Sequence, residues 1–108
     1  MIFFRSSLVA LFLVAIFGCA PKAPMTAAEF SGNCRQFAEG EERSCDTVVI
    51  CNSYLTAINM HHRSQQACLS ACKDTDAPLR RAAPGGCLGA YDYANDWCQR
   101  YCRSVYPQ

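Results

Sequence analysis

The sequence predicts an all-α, disulfide-stapled domain, built as a helical hairpin or as three to four short helices, and three observations carry that prediction. Two motifs, Cys68-Leu-Ser-Ala-Cys72 and Cys98-Gln-Arg-Tyr-Cys102, place cysteines four residues apart, so each pair lies on one helix face about one turn apart. Apolar residues recur in steps of three and four over several stretches, and no segment alternates as a strand would. Nine cysteines in 108 residues point to an oxidising compartment and a disulfide framework.

The chain opens on a processing segment. Met1 to Gly18 carries one cation, Arg5, and then runs from Leu8 to Phe17 without a polar residue, too short to cross a bilayer comfortably. Ile16-Phe17-Gly18-Cys19 resembles the lipobox of bacterial lipoproteins, with Ile16 and Gly18 fitting the pattern and Phe17 standing where a small residue is commoner. The resemblance implies that residues 1–18 are cleaved and that Cys19 is diacylated on sulfur, anchoring the protein in a membrane. It also implies, from Ala20 rather than Asp after the cysteine, an outer-membrane address facing the periplasm. The same stretch also reads as an ordinary secretory signal cleaved near Ala20, or as an uncleaved anchor.

Setting Cys19 aside leaves eight cysteines, an even number. These are Cys34, Cys45, Cys51, Cys68, Cys72, Cys87, Cys98 and Cys102. The 108 residues less the first 18 leave 90, enough for one small domain. Ten Lys and Arg less Arg5 balance nine Asp and Glu, so net charge gives no case for nucleic acid. A core this small is marginal alone, whereas each native bridge adds about 2–5 kcal/mol. Residues 19–25, with Pro21 and Pro24, read as a short extended tether, and residues 26–108 as the domain.

Within the domain, Thr26-Ala-Ala-Glu29 has the capping-box pattern, and Phe30, Cys34, Phe37 and Ala38 follow at helical spacing until Gly40. This predicts a helix over 27–39. The charged loop 40–44 reads as solvated. Asp46 is a candidate N-cap for a seam of Cys51, Tyr54, Ile58, His61, Gln65, Cys68 and Cys72, which turns polar in its middle. A break is therefore expected at 59–64, with Ser64 capping a new start. Residues 75–89 contain Pro78, Pro84, Gly85 and Gly86 and read as a loop, with Arg80 and Arg81 solvated in it. A last helix over 90–105 presents Tyr91, Ala94, Cys98, Cys102 and Val105 on one face.

Antiparallel partners sit symmetrically about their turn. Cys68 with Cys102, and Cys72 with Cys98, are both centred on residue 85, and Cys34 with Cys51 is centred between residues 42 and 43. That favours these three pairs and leaves Cys45 with Cys87. A straight helix from Cys45 to Cys72 would, however, separate its ends by about 40 Å, whereas a bridge needs alpha carbons about 4.4–6.8 Å apart. Either the helix folds back near His61, or a parallel arrangement holds, with 68–98, 72–102, 51–87 and 34–45.

The twin Cys-x-x-x-Cys motif is similar, in geometry only and over residues 68–102, to the helical hairpins of plant alpha-hairpinins and of the small Tim chaperones of mitochondria. Both families bind proteins, so the resemblance implies a protein partner, here one of the cell envelope. Tyr93, Trp97 and Tyr101, four residues apart, form a side stripe that reads either as a partner-binding surface or as a cover for the hairpin. No Cys-x-x-Cys at a helix start is present for thiol redox chemistry, and no Ser/His/Asp set or phosphate loop is recognisable. His61 and His62 are adjacent and point about 100° apart on a helix, unsuited to joint metal binding, and read as a seam and a surface histidine respectively. No catalytic residue, metal or cofactor is expected. The alternative functions are a secreted inhibitor-like module without lipid, and a periplasmic redox or metal-handling protein.

Overall fold

A computed structural model of the chain describes residues 22–37, 45–82 and 86–108. The lipobox with Cys19, the charged loop 40–44 and the Pro84-Gly85 turn lie outside the described residues. The described ones form four α-helices: α1 Ala27–Cys34, α2 Thr47–Asn59, α3 Gln65–Ala82 and α4 Leu88–Val105. The fold class is all-α and disulfide-stapled, as the cysteine spacing predicts.

Helix starts are set by local capping. The Thr26 hydroxyl accepts from the Glu29 amide at 3.1 Å, the Asp46 carboxylate from the Val49 amide at 3.2 Å, and the Ser64 hydroxyl from the Ala67 amide at 3.1 Å. Each satisfies one of the amides that a helix N-terminus leaves free. Helix α1 stops at Cys34, earlier than the expected 39, and Phe37 beyond it packs its ring on Tyr93 at 5.3 Å between centroids.

The break after α2 is made at Met60, whose φ of −72° and ψ of 144° are extended. Here the expected roles of the two histidines are exchanged. His61 is exposed and His62 is buried, with 7 % of its surface accessible. Because the chain leaves the helix at Met60, the seam slips by one residue. The His62 ring turns back and donates from Nε2 to the Ala57 carbonyl at 2.7 Å, a group that the end of α2 leaves without a helical donor. The backbone amide of His62 donates to the Tyr106 hydroxyl at 3.1 Å, so the break is tied to the end of α4.

Helix α3 corrects the expected loop over 75–89, because it runs on to Ala82 with Pro78 inside it. Proline removes the bond to the Asp74 carbonyl, but both residues are exposed. Side chains support the turn around it: the Thr75 hydroxyl bonds the Ala71 carbonyl at 2.9 Å, and Asp76 pairs with Arg80 at 2.6 Å. Arg80 is thus a bridging residue and not a solvated loop cation, since it also pairs with Asp92 of α4.

Four bridges join the elements: Cys34–Cys51, Cys45–Cys87, Cys68–Cys102 and Cys72–Cys98, with alpha carbons 5.5–6.0 Å apart. Cys68–Cys102 and Cys72–Cys98 make α3 and α4 antiparallel. Cys45–Cys87 closes without strain on helix length because the break at 60–64 returns α3 along α2. All eight cysteines are buried, in one core with Phe30, Ile50, Tyr54, Ala57, Ile58, Ala90 and Ala94. The two parallel bridges touch, with Cys72 Sγ and Cys102 Sγ 3.6 Å apart.

Candidate functional site

Helix α4 carries three rows at four-residue spacing. Ala90, Ala94, Cys98 and Cys102 face the core. Residues one position earlier and one position later fall about 100° to either side of that row. Tyr93, Trp97 and Tyr101 form one flank, and Asn95, Gln99 and Arg103 form the other.

On the first flank all three aromatic residues are half-buried. Trp97 and Tyr101 pack against the core with part of each ring left accessible. Tyr93 lies between Phe37, at 5.3 Å, and Trp97, at 6.4 Å with ring planes 70° apart. The Arg100 guanidinium sits 4.8 Å over the Trp97 ring and is itself paired with Asp96 at 2.8 Å. Burial raises the Tyr101 phenol above its ordinary range, and Tyr106 adds to that. The stripe therefore covers the hairpin and also presents an aromatic ridge, a run of three touching rings, Phe37, Tyr93 and Trp97, with Tyr101 one turn further along the same flank. Phe37 extends the ridge from outside α4, which the helical wheel of α4 alone could not reveal.

The second flank forms one wall of a polar groove of about 320 Å³ between α3 and α4, lined by Gln66, Ser70, Lys73, Asn95, Gln99 and Arg103 among others. Nothing in the sequence singles these out, because polar residues on a helix arc ordinarily face water.

Below the groove, Tyr54 donates to Asp76 at 2.8 Å, and Asp76 and Asp92 hold Arg80. Burial, and then the bond to Asp76, push the Tyr54 phenol far above the ordinary tyrosine range, so it stays a neutral donor. This chain ties α2, α3 and α4 together. Among the described residues, no three His, Cys, Asp or Glu side chains gather as a metal ion would require, and no helix is long and apolar enough to cross a membrane. Comparison with protein-family models, with curated proteins and with solved structures finds no match.

Proposed function

We propose that this chain is a bacterial envelope lipoprotein, held in the membrane by acyl groups on Cys19, whose disulfide-laced helical domain acts by contact with another envelope protein. The supporting observation is the cysteine count. Of nine cysteines, eight pair among themselves, so Cys19 has no partner within the chain, and it stands where the lipobox resemblance puts the lipidated residue. Two or more acyl chains anchor stably, since each buried methylene adds about 0.8 kcal/mol. Ala20 favours the outer membrane, with the domain in the periplasm.

The tether enters the fold at a defined place. The Met25 amide donates to the Ser104 hydroxyl at 2.7 Å, beside the C-terminal end of α4. Met25 stands six residues after Cys19, a reach of about 20 Å. That end of the hairpin is therefore nearest the membrane, and the aromatic ridge runs away from it toward Tyr93. The role is binding or structural and not catalytic, with Tyr93, Trp97 and Tyr101 as the contact residues.

The reading is tested with Cys19→Ser and with the double variant Trp97→Ala/Tyr101→Ala. The first should leave the membrane fraction for the soluble periplasm. The second should stay in the membrane with no free thiol, yet fail to capture the protein that the wild type cross-links in the envelope. Unchanged capture with the bridges intact would remove the ridge as the contact surface. Retention of Cys19→Ser in the membrane would remove the lipid anchor.

A further inference from the structure

The end of the domain at which the tether enters is assembled from three stretches of chain. The Met25 amide bonds the Ser104 hydroxyl. Two residues on, the Tyr106 hydroxyl accepts from the His62 amide at 3.1 Å and the Tyr106 carbonyl accepts from the Gln65 side chain at 3.0 Å. The Tyr106 ring also lies 6.5 Å from that of His61. Residues 22–28, 59–66 and 103–108 therefore meet at one end of the domain, where α3 begins and α4 stops.

The make-up of that end differs from the rest of the chain. Its three stretches hold no Asp or Glu, and they carry Lys22, Arg63 and Arg103, all exposed. Two carboxylates stand close to these stretches along the chain: Glu29, 3.5 Å from the Thr26 hydroxyl, and Asp96, paired with Arg100. Asp46, Asp76 and Asp92 belong to the other end, where Cys45 is bridged to Cys87 and Arg80 joins α3 to the start of α4. Beside the cations, Met60 leaves 53 % of its surface accessible, and Tyr106 is half-buried.

Chain length relates this end to the membrane. Met25 is at most about 20 Å from Cys19 along the chain, so a domain held by lipid at Cys19 keeps this end within that reach of the head groups. A short tether gives two surfaces an effective concentration in the millimolar range, and a contact too weak to form between free partners is then populated. Cations are attracted to an anionic leaflet, and a tyrosine ring sits favourably at head-group level.

We propose that this end of the domain rests on an anionic phospholipid surface through Lys22, Arg63, Arg103, Met60 and Tyr106, and so stands the hairpin end-on to the membrane. The proposal rests on the lipid at Cys19 and does not involve the aromatic ridge.

The test uses the full acylated chain in vesicles of phosphatidylethanolamine and phosphatidylglycerol, with vesicles of phosphatidylcholine as the control. A neutral, arginine-selective dicarbonyl reagent reports exposure, read by peptide mass. Arg81, exposed near the far end of α3 and about 24 Å from Gln65 along the helix, is the internal reference. The expected result is that Arg63 and Arg103 react more slowly than Arg81 in the anionic vesicles only, and that raised salt removes the difference. Arg63→Gln should lower the docked-to-free ratio read at Arg103 about fivefold, as the loss of one cation at an anionic surface gives. The variant changes an exposed side chain, and the absence of free thiols confirms that it has folded. Equal relative rates in both kinds of vesicle, or protection of Arg103 unaltered by Arg63→Gln, would overturn the docking and leave the anchor standing, since the mass of the same sample reports the acyl groups. A chain without acyl groups would overturn both.

Discussion

The imidazole of His62 donates from Nε2 to the carbonyl oxygen of Ala57 across 2.7 Å, closing the end of α2 with a side chain from beyond the break. That bond, with the His62 amide donating to the Tyr106 hydroxyl, ties the break before α3 both to the end of α2 and to the end of α4. The His62 ring also lies edge-on to Tyr106 at 5.7 Å.

His62→Ala should therefore lower stability by about 1–3 kcal/mol, the cost of leaving a buried carbonyl without its donor and opening a small cavity. His61→Ala, at an exposed position, should change it by no more than about 0.5 kcal/mol. Urea unfolding of the oxidised proteins checks the contrast.

Tyr54 predicts a pH dependence with a definite sign. Its folded pKa is raised by burial and by Asp76. Below pH about 10 both folded and unfolded chains keep the phenol proton, so this residue adds no slope. Above that, the unfolded chain releases a proton that the native one retains, and stability falls as pH rises, by up to about 1.4 kcal/mol per pH unit. Tyr54→Phe should cost about 1 kcal/mol at pH 7 for the lost bond to Asp76. The gap to the wild type should narrow above pH 10 and then reverse. Unfolding curves at pH 7, 9 and 11 measure it.

Pro78 sits on the exposed side of α3, where the helix gives up one backbone bond. Pro78→Ala restores that donor, against a smaller gain in unfolded-state freedom, and should stabilise the protein by about 1–2 kcal/mol. A raised thermal midpoint would support this, and a lowered one would mean that the proline ring has a packing role.

The bridges should not be equal. Cys45–Cys87 spans 42 residues and Cys34–Cys51 spans 17. Loop-closure entropy predicts that replacing the first pair with serine costs about 1 kcal/mol more than replacing the second, within a total of about 2–5 kcal/mol for either. Paired serine variants unfolded in urea give the comparison.

Much of this fold was legible because its organising residues carry strong local signals. Cysteines at four-residue spacing, Thr26, Asp46 and Ser64 as caps, and the polar centre of the seam each have one dominant physical meaning. The pairing of Cys45 with Cys87 needs the chain to fold back near His61, one of the two alternatives that spacing alone leaves open, and the break at 60–64 supplies it. The two cysteines are centred on residue 66, next to that break, and Tyr54 and Asp76, in contact across α2 and α3, are centred on 65. Symmetry about the break would have selected the pair. Proline and glycine over 75–89 signal a loop, whereas the helix continues past Pro78 on support from Thr75, Asp76 and Arg80, part of which, the contacts to Tyr54 and Asp92, exists only when α2 and α4 lie alongside. The histidines were exchanged because a single extended residue, Met60, shifts the face by one position. The aromatic ridge was readable as a row on α4, but Phe37 joins it from another element. The groove between α3 and α4 is not readable in the sequence, since its polar residues differ from an ordinary solvated arc only once α3 is laid beside α4.

The central claim is that eight cysteines are bridged and the ninth carries lipid. An intact mass of the protein extracted from membranes and alkylated without reduction tests it most directly. The account predicts the mass of residues 19–108, less eight hydrogens, plus acyl groups, with no alkylation. Two or more alkylated cysteines would contradict the framework, and a chain without acyl groups would contradict the anchor.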